Sequence, residues 1–218
     1  MTTRIDTLEM IGATYAVLSS AFDYPDEELW SQLEGRALNV LINDLGGDDA
    51  DGLEGGYVFP VRSQDEREVI YLDLFELGRM PLYEHSFRPK DGREGIQEDL
   101  LRFYHFFAVQ LGERNRDFPD HIATELEFMM YLVGLEAATV AEGRDPTPFR
   151  LAQRDFLDRH VLIWAAEIRR RQFEADGGVY AMLARWLDAF TRRHRDALEE
   201  ALAVTTGDER PSSNTHLA

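Results

Sequence analysis

Asp120 and His121 are the residues of this chain best placed to do chemistry. They lie in the run Asp117-Phe118-Pro119-Asp120-His121-Ile122-Ala123-Thr124-Glu125-Leu126-Glu127-Phe128-Met129, where a proline opens what the pattern predicts to be a helix. Proline fits the first helical position because the N–H it lacks has no partner there. The acid and the imidazole then fall in the first turn, at the rim of whatever groove the helices form. A carboxylate at that place has two compatible uses. It stabilises the helix by facing the positive end of the dipole. It can also meet a cationic ligand, with the imidazole as hydrogen-bond partner. A mostly apolar helical chain with one such pair at a rim points to a binder of peptides rather than an enzyme.

Other chemical constellations are incomplete. A di-iron bundle needs paired Glu-x-x-His motifs, and neither Glu-x-x-His nor His-Glu-x-x-His occurs. His121 and Glu125 are four apart and share a helical face, yet a closed metal site needs four ligands. No metal and no cofactor is therefore expected. Ser86 adjoins His85, but sequence neighbours rarely orient as nucleophile and base, and no Gly-x-Ser-x-Gly elbow is present. Gly46-Gly47 and Gly55-Gly56 lack the lysine and the following helix of a phosphate loop. His160 and Trp164, four apart, are read as core. Met129-Met130 either fill the core or line an adaptable apolar groove.

The bulk composition narrows the partners. Over 218 residues, 23 Lys and Arg face 41 Asp and Glu, a formal net charge of −18. Binding nucleic acid requires cationic side chains against phosphates, so this balance argues against it, and equally against anionic membranes. It suits a cationic partner such as an arginine-bearing peptide, although solubility alone would also account for it. With no cysteine, disulfides, thiolate catalysis and Cys-ligated metals are excluded. No signal peptide and no apolar run of spanning length is recognisable, so the expected place is the cytoplasm, without membrane insertion.

The elements that must position these residues read almost entirely as helix. Leu8, Ile11, Tyr15, Leu18 and Phe22 recur at helical spacing up to the Tyr24-Pro25 break. A second helix carries Leu29 to Leu45 with Gly35 as a weak point. Ser63 and Glu66 form a capping-box pattern for a helix running to Leu77. Glu94–Leu111 is strongly amphipathic and is expected to end at Gly112. Helices follow at Pro119–Ala141, Pro148–Phe173 and Val179–Ala203. The expected fold is all-α: one domain over 1–204, a bundle of about seven or more helices. Flexible loops near 46–62 and 78–93 could hinge helix exchange, giving a monomer or a helix-swapped dimer. The polar tail at 205–218 is expected to be disordered.

Five segments in order then form a recognisable pattern. Tyr71-Leu72-Asp73-Leu74-Phe75 precedes Met80-Pro81-Leu82-Tyr83-Glu84-His85. Arg102-Phe103-Tyr104-His105-Phe106-Phe107 precedes Phe118-Pro119-Asp120-His121-Ile122 with Glu125-Leu126-Glu127-Phe128-Met129, and Phe156 to Trp164 closes the series. The order and spacing resemble the TorD/DmsD/NarJ family of molybdoenzyme maturation chaperones. The branch that serves type II enzymes of the dimethyl-sulfoxide-reductase family is the most similar. The resemblance implies an all-α protein without turnover. It would bind the apo catalytic subunit of a molybdenum-cofactor oxidoreductase, and its twin-arginine leader, until the cofactor is inserted. By matching motifs it places client binding at Tyr71, Leu74, Phe75, Pro81, Tyr83, Glu84, Pro119, Asp120 and His121. Some members carry Trp where this chain has Tyr71. Two other readings share the helical fold: a general interaction adaptor, and an enzyme or cofactor carrier built on a bundle.

Overall fold

The computed structural model describes residues 4–44, 57–77, 80–112, 119–171 and 178–207. Helix α1 spans Arg4–Ala21 and buries Leu8, Tyr15, Leu18 and Ala21 at the expected spacing. The expected second helix is two. Asp26 caps α2 (Glu27–Leu33) by accepting from the Leu29 N–H at 2.8 Å. Gly35 then takes φ +70°, a left-handed conformation that breaks the helix and that glycine adopts without a Cβ penalty. Helix α3 follows at Leu38–Asp44. The freed backbone pairs with the segment after the glycine-rich stretch: Gly35 N donates to Phe59 O and Phe59 N to Arg36 O, both at 2.9 Å.

Helix α4 (Gln64–Tyr71) starts with the expected capping box, Ser63 and Glu66 each bonding the other's backbone N–H. It continues as a π-turn over Leu72–Glu76. The wider turn shifts the register so that Tyr71, Leu74 and Phe75 all face inward, while Leu72 and Leu77 face out. Helix α5 (Arg93–Phe106) ends well before Gly112. Ala108 takes φ +54° there. Val109 N donates to Tyr104 O and Ala108 N to His105 O, which satisfies the last carbonyls in the Schellman pattern with alanine in glycine's usual place.

Helices α6 (Ile122–Ala141), α7 (Thr147–Phe156), α8 (Leu162–Arg171) and α9 (Val179–Gly207) complete the bundle. A second π-turn, Leu157–Val161, joins α7 to α8, so the expected long helix is a helix with a bulge. Helix α1 packs along α6, α6 against α7, and α9 across α7, α8 and α1. Trp164, Trp186, Tyr15, Tyr104, Phe22, Phe59 and Phe156 fill the centre. Burying such side chains contributes roughly 1.5–3 kcal/mol each. The fold is all-α: among the described residues the only extended pairings are the isolated bridges Ala37↔Val58 and Tyr83↔His121. Helix α9 passes Thr205, where a tail was expected. The remaining tail, the glycine-rich stretch to 56 and Phe118 lie outside the described residues. Among those described, no helix is long and apolar enough to cross a membrane.

Candidate functional site

The Tyr83↔His121 bridge splices the loop before α5 onto the start of α6. Glu84 N donates to Asp120 O at 2.9 Å, and Ile122 N to Leu82 O at 3.0 Å. The helix begins at Ile122, three residues later than the proline pattern suggests. His121 is its N-cap, with Nδ1 accepting from the Ala123 N–H at 3.3 Å. Pro119 sits in the preceding turn, where its carbonyl accepts from the Tyr104 hydroxyl at 2.9 Å. Asp120 neither caps the helix nor stands at a rim, because it is fully buried. Its Oδ2 accepts from His85 N at 3.3 Å and lies 2.5 Å from His85 Nδ1. Its Oδ1 accepts from Gln97 Nε2 at 2.8 Å. His121 occupies the position from which a side chain reaches the first free N–H groups, so Asp120 is left to hold the loop.

Beneath this splice lies a buried polar centre. Glu84, in the 3₁₀ turn Glu84–Ser86, is fully buried. Arg88 Nη1 donates to its Oε1 at 2.5 Å and to Arg159 O at 2.8 Å. His160, on the second π-turn, places Nδ1 2.9 Å from Glu84 Oε2. Its Nε2 lies 3.3 Å from Asp99 Oδ2 without hydrogen-bond alignment. Arg159 reaches the same Asp99 carboxylate. Glu125, in the first turn of α6, accepts from Trp164 Nε1 at 2.7 Å through Oε2. Its Oε1 is buried and has no hydrogen-bond partner. Burial pushes the Glu125 carboxyl well above the usual range, and the charges of Glu84 and Asp120 push the same way. The Trp164 N–H and Arg88 oppose them. The Tyr104 hydroxyl is raised by burial and by Glu125 and Glu84.

The nine residues singled out by the motifs meet in one region, but not as an open slot. Leu74 O accepts from Met80 N at 2.9 Å, which ties the first π-turn to the loop. Tyr71, Leu74 and Phe75 are buried. Phe75 meets Tyr180 edge-on at 4.9 Å, and Tyr71 meets Phe75 at 5.0 Å. Burial, then the charges of Asp23 and Glu76, push the Tyr71 hydroxyl far up. Glu84, Pro119, Asp120 and His121 are buried as well, leaving Pro81 and Tyr83 as the half-buried members that reach the surface. The Tyr83 ring stands edge-on to His121 at 5.3 Å. Sequence reasoning missed Arg88, Gln97 and Glu125 as parts of one centre. It noticed His160 and Trp164 by spacing but assigned them to packing alone. They are core, and they also bond the two buried glutamates. Met129 is buried, whereas Met130 lines a surface concavity of about 370 Å³ beside Tyr104, Leu111, Phe128 and Tyr131.

The described elements form an all-helical bundle with a cluster of buried polar groups and several apolar side chains left exposed. The chain belongs to the nitrate reductase delta subunit family, whose model matches residues 52–170. It is 40% identical over 204 residues to the selenate reductase assembly chaperone protein of Thauera selenatis, covering 92% of this chain and 95% of that protein. It is 38% identical over 202 residues to the chlorate reductase assembly chaperone protein of Ideonella dechloratans, covering 91% and 94%. The nitrate reductase molybdenum cofactor assembly chaperone NarJ of Escherichia coli K12 is 30% identical over 152 residues, 64% of this chain and 62% of that protein.

Proposed function

We propose that this chaperone holds the catalytic subunit of a molybdenum oxidoreductase in the cytoplasm while its cofactor is inserted. It is a chaperone and not an enzyme. The observation that carries the reading is similarity along nearly the whole chain to assembly chaperones of selenate and chlorate reductases. The surface agrees with a protein client. Val69, Leu72 and Leu77, on α4 and its π-turn, are 65%, 42% and 73% exposed. The exposed acids Asp65 and Glu76 lie on the same segment.

A twin-arginine leader joins a cationic start to an apolar stretch. Acids at one end of an apolar strip are the matching chemistry. In this reading Leu72, Leu77, Pro81 and Tyr83 meet the apolar stretch, and Glu76 meets the arginines. Tyr71, Leu74, Phe75, Glu84, Pro119, Asp120 and His121 act from beneath, holding Tyr83 and the π-turn in place. The test is co-expression with the catalytic subunit of a selenate- or chlorate-reductase-type molybdenum enzyme, with and without its leader. Tyr83→Ala combined with Leu72→Ser should weaken capture about tenfold or more, as loss of an interface hot spot does. Capture unchanged in that variant would move the client to another face. Capture of no molybdenum subunit by the wild type would reject the reading.

A further inference from the structure

Glu84, Glu125 and His160 come from three separate elements: the 3₁₀ turn before α5, the first turn of α6 and the second π-turn. Their exposures are 0%, 0% and 1%. One ligand atom from each lies within 4.8 Å of the other two. Oxygen and imidazole ligands about 2.0–2.2 Å from one ion stand about 3 Å apart at a right angle and about 3.4 Å apart in a tetrahedron. Glu84 Oε2 and His160 Nδ1, at 2.9 Å, already have the separation of neighbouring ligands. The Glu125 oxygen lies within 4.8 Å of both and would have to move inward to complete the triangle.

Two further observations point to a ligand. Glu125 Oε1 is buried without a hydrogen-bond partner, a desolvation cost that a cation would offset. Two of the three ligands also have a hydrogen-bonded outer partner already in place. Arg88 holds the far oxygen of Glu84 at 2.5 Å. Trp164 holds the far oxygen of Glu125 at 2.7 Å. Asp99 stands 3.3 Å from Nε2, the far nitrogen of His160, without hydrogen-bond alignment, so that nitrogen is buried beside a carboxylate but not bonded to it. The acids Glu84, Asp99, Asp120 and Glu125 gather here with only two arginines, Arg88 and Arg159.

We propose that Glu84, Glu125 and His160 bind a divalent transition cation of the zinc class, which cross-links the loop before α5, the start of α6 and the π-turn. Two carboxylates with one imidazole and no thiol suit Zn²⁺, Mn²⁺ or Fe²⁺ better than Cu(I), and the imidazole disfavours Mg²⁺ and Ca²⁺. His160 binds through Nδ1 and gives up its contact with Glu84. Three protein ligands leave a fourth position for water. The sequence alone leads to no metal being expected, since it offers no Glu-x-x-His motif and only the His121 and Glu125 pair at helical spacing; Glu84, Glu125 and His160 lie far apart in the chain.

The test uses the chelator-stripped full chain, titrated with zinc chloride by calorimetry beside a magnesium control, with metal analysis. One zinc per chain is expected, together with a change in Trp164 emission that Trp164→Phe removes without removing binding. Glu125→Gln keeps an acceptor for Trp164 and should lower zinc affinity by at least about tenfold, as should His160→Gln. Circular dichroism establishes that the variants fold. If either does not, X-ray absorption of the zinc-bound wild type decides. One imidazole among oxygen ligands supports the site, and an all-oxygen or multi-imidazole shell overturns it. No zinc uptake, or uptake undiminished in both folded variants, also overturns it. No client is present in this experiment, so its failure leaves the chaperone reading standing.

Discussion

Helix α6 carries two buried glutamates about three turns apart, and they are treated differently. Glu136 is answered by its neighbour in the chain. Arg150 Nε donates to Oε1 at 2.6 Å and Gln153 Nε2 to Oε2 at 2.8 Å, both from α7 across a short turn. Arg150 Nη2 and Gln153 Oε1 remain without hydrogen bonds, but the charges balance within one helical hairpin. Asp188 follows the same rule, with Arg169 and Arg192 on its two oxygens. Glu125 receives only an indole N–H. Within 4.8 Å of one of its oxygens stand ligand atoms from a loop and a π-turn, another carboxylate among them. A buried acid that serves packing brings its counter-charge on the adjoining element. One that sits where three distant segments meet, without a counter-charge of its own, is arranged for something else.

The largest test of that contrast is Glu136→Ala. It would leave the Arg150 guanidinium, 4% exposed, with no balancing charge, and breaking such a pair costs about 3–5 kcal/mol. The double variant Glu136→Ala with Arg150→Met should recover much of the loss. Urea denaturation of the single and double variants measures both. A single-variant cost below about 1 kcal/mol would remove the distinction between the two glutamates.

A pH effect of the opposite kind must be separated before Glu125 can be read. His194 is buried between α1 and α9, with the Tyr15 hydroxyl 2.9 Å from Nδ1 and the Phe190 ring stacked at 6.2 Å. Burial lowers its pKa from 6.5 to about 4. The unfolded chain therefore takes up a proton first as the pH falls. The stability that depends on a neutral His194 is fully present above the unfolded value and is lost as pH drops toward the folded one. The loss is at most roughly 3 kcal/mol. His194→Gln should flatten the fall in stability between pH 6.5 and pH 4. An unchanged slope would assign the acid loss to other groups.

Much of the fold could be read from the sequence because it rests on local rules. The Ser63–Glu66 capping box, the apolar spacing of α1 and the Gly35 break each depend on a few adjacent residues. The π-turns at 72–76 and 157–161 were not legible, since a bulged turn and a regular one share the same apolar composition. Nor was the end of α5, where alanine takes a conformation that statistics give to glycine. The site was half legible. Pro81, Tyr83, Glu84, Asp120 and His121 do converge. Which of them face solvent depends on the Tyr83↔His121 bridge, a pairing across 38 residues that no periodicity announces. Glu125 is hidden for the same reason: its partners lie 41 residues before it and 35 residues after it in the chain.

The smallest effect is the most discriminating. In metal-free buffer the Glu125 carboxyl is held above its unfolded value of 4.5 by burial and then by the charge of Glu84. The folded state keeps a proton that the unfolded chain releases. Stability from this group is thus fully present below the unfolded value and declines as pH rises toward the folded one, opposite to His194. Glu125→Gln removes the titration but keeps the shape. It should match the wild type near pH 4.5 and exceed it in stability in mildly alkaline buffer. Adding zinc should reverse that order, because only the wild type gains the linkage stabilisation of a bound ligand. Glu136→Gln should show neither the alkaline gain nor the reversal. If it does, the two glutamates of α6 are equivalent, and the unanswered oxygen of Glu125 is a packing detail.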